Sequence, residues 1–151
     1  VETIEFDSAM NAGTYMHSDS KLAGIVVISG VDASLAKDIA MHVAAFNPLC
    51  LSADDLDAEV LDREKAIYMT QAEESGKPQE IMEKMVEGKL KRFLSEVSLL
   101  SQGFVKDPDI TIQKLLDTNN AEIKSFVRLK VGEGIEVEAK SFADEVAEQL
   151  K

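Results

Sequence analysis

Residues 57–102 read DAEVLDREKAIYMTQAEESGKPQEIMEKMVEGKLKRFLSEVSLLSQ, and this stretch decides the fold. Asp57 suits an N-cap, and Val60, Leu61, Ile67 and Tyr68 then fall on one helical face as far as Glu74. Ser75-Gly76-Lys77-Pro78 breaks the helix, because Gly favours its C-terminal end and Pro the first turn of the next. The second helix carries Ile81, Met82, Met85, Val86, Leu90, Phe93, Leu94 and Val97 at i, i+3 and i+4 spacing. Glu80–Lys84 and Glu87–Lys91 are spaced for ion pairs on its wet side. Two helices joined by so short a link predict an antiparallel helical hairpin with arms about 25–30 Å long.

The flanking segments have a different rhythm. Thr3–Phe6, Gly13–His17 and Gly24–Ser29 are short runs rich in β-branched and aromatic residues, and Ser18-Asp19-Ser20-Lys21 links the last two as a hairpin. Asp32 reads as an N-cap for a helix bearing Leu35, Ile39, Val43 and Phe46, which Asn47-Pro48 ends. Leu49–Leu51 fits a short strand or a loop. Beyond the hairpin, Asp107-Pro108-Asp109 reads as a turn and Thr111 as the cap of a short helix through Leu116. Ile123, Ser125, Val127, Leu129 and Val131 then alternate with Lys124, Phe126, Arg128 and Lys130, the period of a strand that Gly132-Glu133-Gly134 stops. Phe142, Val146 and Leu150 form a thin apolar stripe on a terminal helix.

The expected architecture is therefore α+β. A small antiparallel sheet of three to four strands is packed by helices, with a helical coiled-coil hairpin inserted. Residues 1–56 and 103–138 form the α+β subdomain, 57–102 the hairpin and 139–151 a C-terminal helical module.

Composition narrows the function. A net charge of −12, from 28 acidic and 16 basic residues, repels nucleic acid and anionic membrane over most of the surface. The expected partner is another protein with a basic or polar patch. No apolar run approaches the roughly 20 residues of a bilayer span. The acidic first ten residues do not resemble a secretory signal, and the chain starts with Val, consistent with trimming, processing or excision from a longer protein. One cysteine, Cys50, permits no internal disulfide and favours a reducing compartment; in Leu49-Cys50-Leu51 it reads as a small buried hydrophobe.

Nothing in the sequence assembles catalytic machinery. Two histidines give no credible triad, and a zinc site would need more Cys and His ligands. Gly132-Glu133-Gly134 follows a strand, yet Ile135-Glu136-Val137-Glu138 behind it would repel phosphate, so a turn is expected. His42, at the margin of an apolar helix face, reads as half-buried with one backbone or water partner. His17 ends a strand and opens a polar turn, where structural and binding roles both stand open. Lys84, Lys89, Lys91 and Arg92 make the second hairpin helix locally basic, as a solvated face or as a patch for an acidic partner or RNA.

Several stretches, in order, resemble elongation factor Ts. They are Ile39–Ala45 with Pro48, Ser75–Pro78 with Ile81, Glu83–Lys89, Leu99–Lys106, and Phe126-Val127-Arg128 with Val131–Glu136. Each alone is weak, but the ordered set is specific and runs from about Tyr15 to the terminal helix. The resemblance implies a cofactor-free guanine-nucleotide exchange factor without a catalytic site of its own. It would bind elongation factor Tu in its GDP form, promote GDP release and act in bacterial cytoplasm, or in an organelle matrix or stroma. It implies binding surfaces at His17 with Tyr15 and Met16, and on the terminal helix at Phe142, Val146 and Leu150. Relatives include dimers, so a homodimer is a further expectation. The family's exchange element, a Thr-Asp-Phe-Val motif, has no match here: Phe6-Asp7 and Ser141-Phe142-Ala143-Asp144 both differ. The family's N-terminal helical module, with its Leu-Arg and Thr-Gly signature, has no match either, and a complete factor would carry both elements before Val1. The chain is thus expected to hold partner-binding surfaces without the element that drives exchange. The alternative is an interaction scaffold whose hairpin binds another protein or an RNA complex.

Overall fold

A computed structural model describes residues 10–133, so the run Thr3–Phe6 and the stripe Phe142, Val146 and Leu150 lie outside the described residues. Strand β1 (Asn11–Met16) pairs antiparallel with β2 (Leu22–Ser29), and β2 pairs antiparallel with β5 (Glu122–Lys130), giving the order β1-β2-β5. Helix α1 (Ala33–Phe46) lies on one face of this sheet. Asp32 caps it, its carboxylate accepting the Leu35 N–H at 2.8 Å, and Asn47 ends it in the left-handed region at φ 49°.

Small residues let α1 sit directly on the strands. A Cβ on Gly13 would overlap the Ala36 carbonyl, and one on Gly24 the Ala40 carbonyl. Val26, Ile28, Ile39, Val43, Leu99, Ile112, Leu116 and Ile123 fill the core around this contact. Full burial of each such side chain contributes about 1.5–3 kcal/mol against an exposed reference.

Helices α2 (Ala58–Glu74) and α3 (Gln79–Val97) pack side by side, about 26 and 29 Å long at 1.5 Å per residue. Asp57 caps α2 through the Glu59 N–H at 2.9 Å, and Gly76 adopts φ +62° beyond its end. The chain enters α2 and leaves α3 through one parallel contact: Leu49 N–H donates to Val97 O at 2.8 Å and Leu99 N–H to Cys50 O at 2.9 Å. Cys50 is buried there, with Sγ 3.5 Å from Ser98 Oγ. Neither ion pair expected on α3 forms among the described residues. Instead Arg92 pairs with Glu96 at 2.8 Å, Gln79 donates to Glu83 at 3.0 Å, and Lys89 reaches across to Gln71 and the Tyr68 ring.

After α3, β3 (Gly103–Phe104) and β4 (Asp107–Thr111) form a separate two-stranded ribbon, followed by α4 (Ile112–Asn119), which Thr111 caps. The turn expected at Asp107-Pro108-Asp109 falls at Val105-Lys106 instead. Pro108 is tolerated in β4 because the ribbon is irregular between Gly103 and Phe104, so a missing N–H breaks no ladder bond there.

Two expectations are corrected by tertiary contacts. The odd-numbered residues of β5 do not share one face, because an irregularity between Val27 and Ile28 shifts the register. Ile123 and Phe126 therefore both pack on the core, and Arg128 reaches α1, donating from Nε to Ala44 O at 3.1 Å. Its other arm pairs with Glu133 at 2.9 Å, so one guanidinium satisfies a carbonyl in the last turn of α1 and a carboxylate.

His42 is fully buried rather than half-exposed. Gln102 donates its amide N–H to Glu96 O at 2.7 Å, which turns its amide oxygen toward His42 Nε2, 2.9 Å away. Nε2 therefore carries the proton, and Nδ1 accepts the Val105 N–H at 3.2 Å. Phe46 stacks on the ring at 4.5 Å. One imidazole thus ties α1 to the base of α3 and to the ribbon. Burial lowers its pKa below 6.5, partly opposed by the Gln102 bond.

Two predictions follow from this packing. Gly13→Ala should destabilise the chain by about 2–3 kcal/mol, since backbone atoms must move. Gly88→Ala, in an exposed stretch of α3 with nothing within 4 Å of the added Cβ, should stabilise it by about 0.5–1 kcal/mol. Urea unfolding of both reads the signs; a neutral Gly13→Ala would refute the close approach. The second concerns pH. His42 binds a proton less readily folded than unfolded, so its contribution is fully present above 6.5 and is lost as pH falls below that value. Urea midpoints at about pH 7.5 and pH 5.5 should drop in the parent chain and drop less in His42→Gln. Equal drops in the two would remove His42 as the cause.

Candidate functional site

The sheet ends, on the side of the β1–β2 turn, in a cluster of exposed residues. His17 N–H donates to Leu22 O at 2.8 Å and Ser20 N–H to His17 O at 2.9 Å, while Asp19 accepts the Lys21 N–H at 2.9 Å. Ser20 sits in the left-handed region at φ 57°, a conformation costing a non-glycine residue about 1 kcal/mol that these bonds hold in place.

The structure brings Tyr15 and His17 together, with the phenol oxygen and Nδ1 3.1 Å apart. Tyr15 leans on the core cluster, whereas His17 is exposed. Met16 lies on the opposite face and is 67% exposed. It begins a cross-strand row, Met16–Ala23–Leu129, followed by Thr14–Ile25–Val127 and Ala12–Val27–Ser125. None of these nine residues is charged. Leu129 and Val131, 48% and 71% exposed, join Met16, Leu22 and Ala23 around a notch of about 200 Å³, with Ser20, Lys21 and Lys130 completing its wall. Sequence reasoning named His17, Tyr15 and Met16 as candidates and did not name Leu129, Val131 or the two lysines. Only strand register places residues 129–131 beside residue 16. Phe142, Val146 and Leu150 lie outside the described residues.

A second surface runs along the hairpin. Val86, Leu90 and Leu94 of α3, with Met69 of α2, line an open apolar groove of about 770 Å³, bordered by Lys65, Glu83, Glu87 and Lys91. Among the described residues no three His, Cys, Asp or Glu side chains gather as a metal site, and no helix is long and apolar enough to cross a membrane. The surfaces available combine an apolar floor with a polar rim, and an exposed imidazole stands at the strand end.

The family model for Elongation factor TS matches residues 1–133. The chain is 50% identical over 147 residues to Elongation factor Ts of Hydrogenovibrio crunogenus, covering 97% of this chain and 49% of that protein. It is 50% identical over 151 residues to that of Ruthia magnifica, covering 100% and 50% of the two chains. It is 49% identical over 151 residues to that of Francisella tularensis subsp. novicida, covering 100% and 51%. The chain spans about half the length of these curated relatives. With this likeness over nearly all its residues, and with the α+β architecture described above, the chain belongs to the elongation factor Ts family.

Proposed function

We propose that this chain grips elongation factor Tu in its GDP form and takes part in guanine-nucleotide exchange during translation, as a binding protein rather than an enzyme. The observation that carries the reading is the Tyr15–Met16–His17 strand end, where Met16 and His17 are exposed, on a chain of this family. Rigid strands present it, and a bonded turn holds its imidazole in solvent, so little order has to be gained on binding. The terminal residues Phe142, Val146 and Leu150 form the second surface in this reading. The α2–α3 hairpin acts as an insertion in an α+β subdomain. The named relatives are bacterial, which supports action in bacterial cytoplasm, or in an organelle if the source is eukaryotic.

Exchange requires a factor that binds the nucleotide-free partner more tightly than the bound one, so that factor and nucleotide weaken each other reciprocally. Because the sequence has no Thr-Asp-Phe-Val motif, the chain adds affinity but little of this coupling. A second reading rests on the apolar groove of the hairpin: it serves another partner, or a second copy of the chain in a homodimer. Light scattering across a concentration series separates these outcomes, a doubled mass favouring the homodimer.

Calorimetric titration should show weak binding of the chain to elongation factor Tu·GDP, and stopped-flow release of fluorescent GDP should be far slower than with a full-length factor. Release at the full-length rate would overturn the division of labour. His17→Ala should weaken binding by roughly tenfold, as expected for an interface anchor, with the melting temperature unchanged because the side chain is exposed.

A further inference from the structure

The notch at the turn end of the sheet combines an apolar floor with basic groups. Its floor is apolar, from Met16, Leu22, Ala23, Leu129 and Val131, and Lys21 and Lys130 stand in its wall. Both lysines are exposed, and neither forms an ion pair among the described residues. Among the described residues, Glu133 pairs with Arg128 at 2.9 Å, and Asp19 accepts the Lys21 backbone N–H at 2.9 Å. Two ammonium groups without an ion-pair partner among the described residues thus flank an apolar recess, in a chain of net charge −12.

We propose that this notch receives one apolar side chain from a partner segment that carries carboxylates beside it, and that Lys21 and Lys130 take those carboxylates. The inference rests on the binding reading above and names the partner chemistry at that surface. An acidic segment is repelled over most of this chain, so the two lysines favour its docking at this end of the sheet and fix its register there. The apolar recess supplies the anchor, since burying a side chain in a pocket adds affinity that exposed ion pairs do not. Tyr15 and His17 lie on the opposite face of the same strand end, outside the notch.

The test uses the 151-residue chain and elongation factor Tu·GDP, titrated at low and at high salt. Lys21→Glu with Lys130→Glu should weaken binding roughly tenfold and reduce its salt dependence. Lys37→Glu with Lys114→Glu changes the net charge equally at exposed positions on α1 and α4, and should change affinity by less than about twofold. Lys21→Gln with Lys130→Gln should fall between the parent and the reversed pair, and Leu129→Gln should weaken binding with the salt dependence kept. Circular dichroism establishes that each variant is folded. Equal losses in the two charge-reversed pairs would reduce the effect to net charge and overturn the proposal. Unchanged affinity in the Lys21 and Lys130 pair would overturn it while leaving the binding reading intact. No binding by the parent chain would remove both.

Discussion

Helix α1 rests on strand backbone, and most of the described structure is arranged around that contact. Gly13 and Gly24 present no side chain where Ala36 and Ala40 cross them, so helix and sheet approach until main-chain atoms touch. The close approach fixes how α1 lies across β1 and β2, and with it the direction in which Ile39 and Val43 enter the core. It also brings the last turn of α1 within reach of Arg128, whose guanidinium takes up the Ala44 carbonyl. Interiors packed at crystal-like density leave little freedom to re-seat such a helix, so a change at the glycines is felt at distant residues.

His42 extends that constraint to the rest of the molecule. Its ring lies between α1, the base of α3 and the ribbon, with every polar atom matched. A buried imidazole left without partners would be costly, but one with both nitrogens satisfied helps specify a single arrangement. Gln102 matters as much, because its amide is held from behind by the Glu96 carbonyl and so fixes which histidine nitrogen bears the proton. The hairpin is thereby tied to the sheet subdomain through a polar relay as well as through the main-chain bonds at Cys50 and Ser98. An arm longer than its own base gains its orientation from such fastenings.

The binding reading draws on the opposite property, the surface that packing leaves uncovered. At the turn end of the sheet, Met16, Leu129 and Val131 stay exposed beside two ammonium groups, with the His17 imidazole on the opposite face. Such a mixture, carried on paired strands, suits recognition because the scaffold is ordered before a partner arrives. The hairpin groove is larger and more apolar, and its rim carries both charge signs.

Much of this was legible along the chain. The caps at Asp32, Asp57 and Thr111, the break at Ser75–Pro78 and the apolar period of α3 are local signals, because capping and periodicity act over three or four residues. The ordered motifs gave the family for the same reason, being readable without distances. What distance decides was not legible. The full burial of His42 needed Gln102, 60 residues away, and the facing of Phe126 and Arg128 needed the register shift at Val27. The turn at Val105-Lys106 replaced the one suggested by Asp107-Pro108-Asp109, since an irregular ribbon can absorb a proline. The notch joins Met16 to residues 129–131 through strand pairing alone. The sequence by itself determined the elements, their class and the family, because those rest on neighbours in the chain. Only the tertiary structure decided which faces meet and which side chains share a surface, because register and burial are set by contacts between residues far apart in sequence.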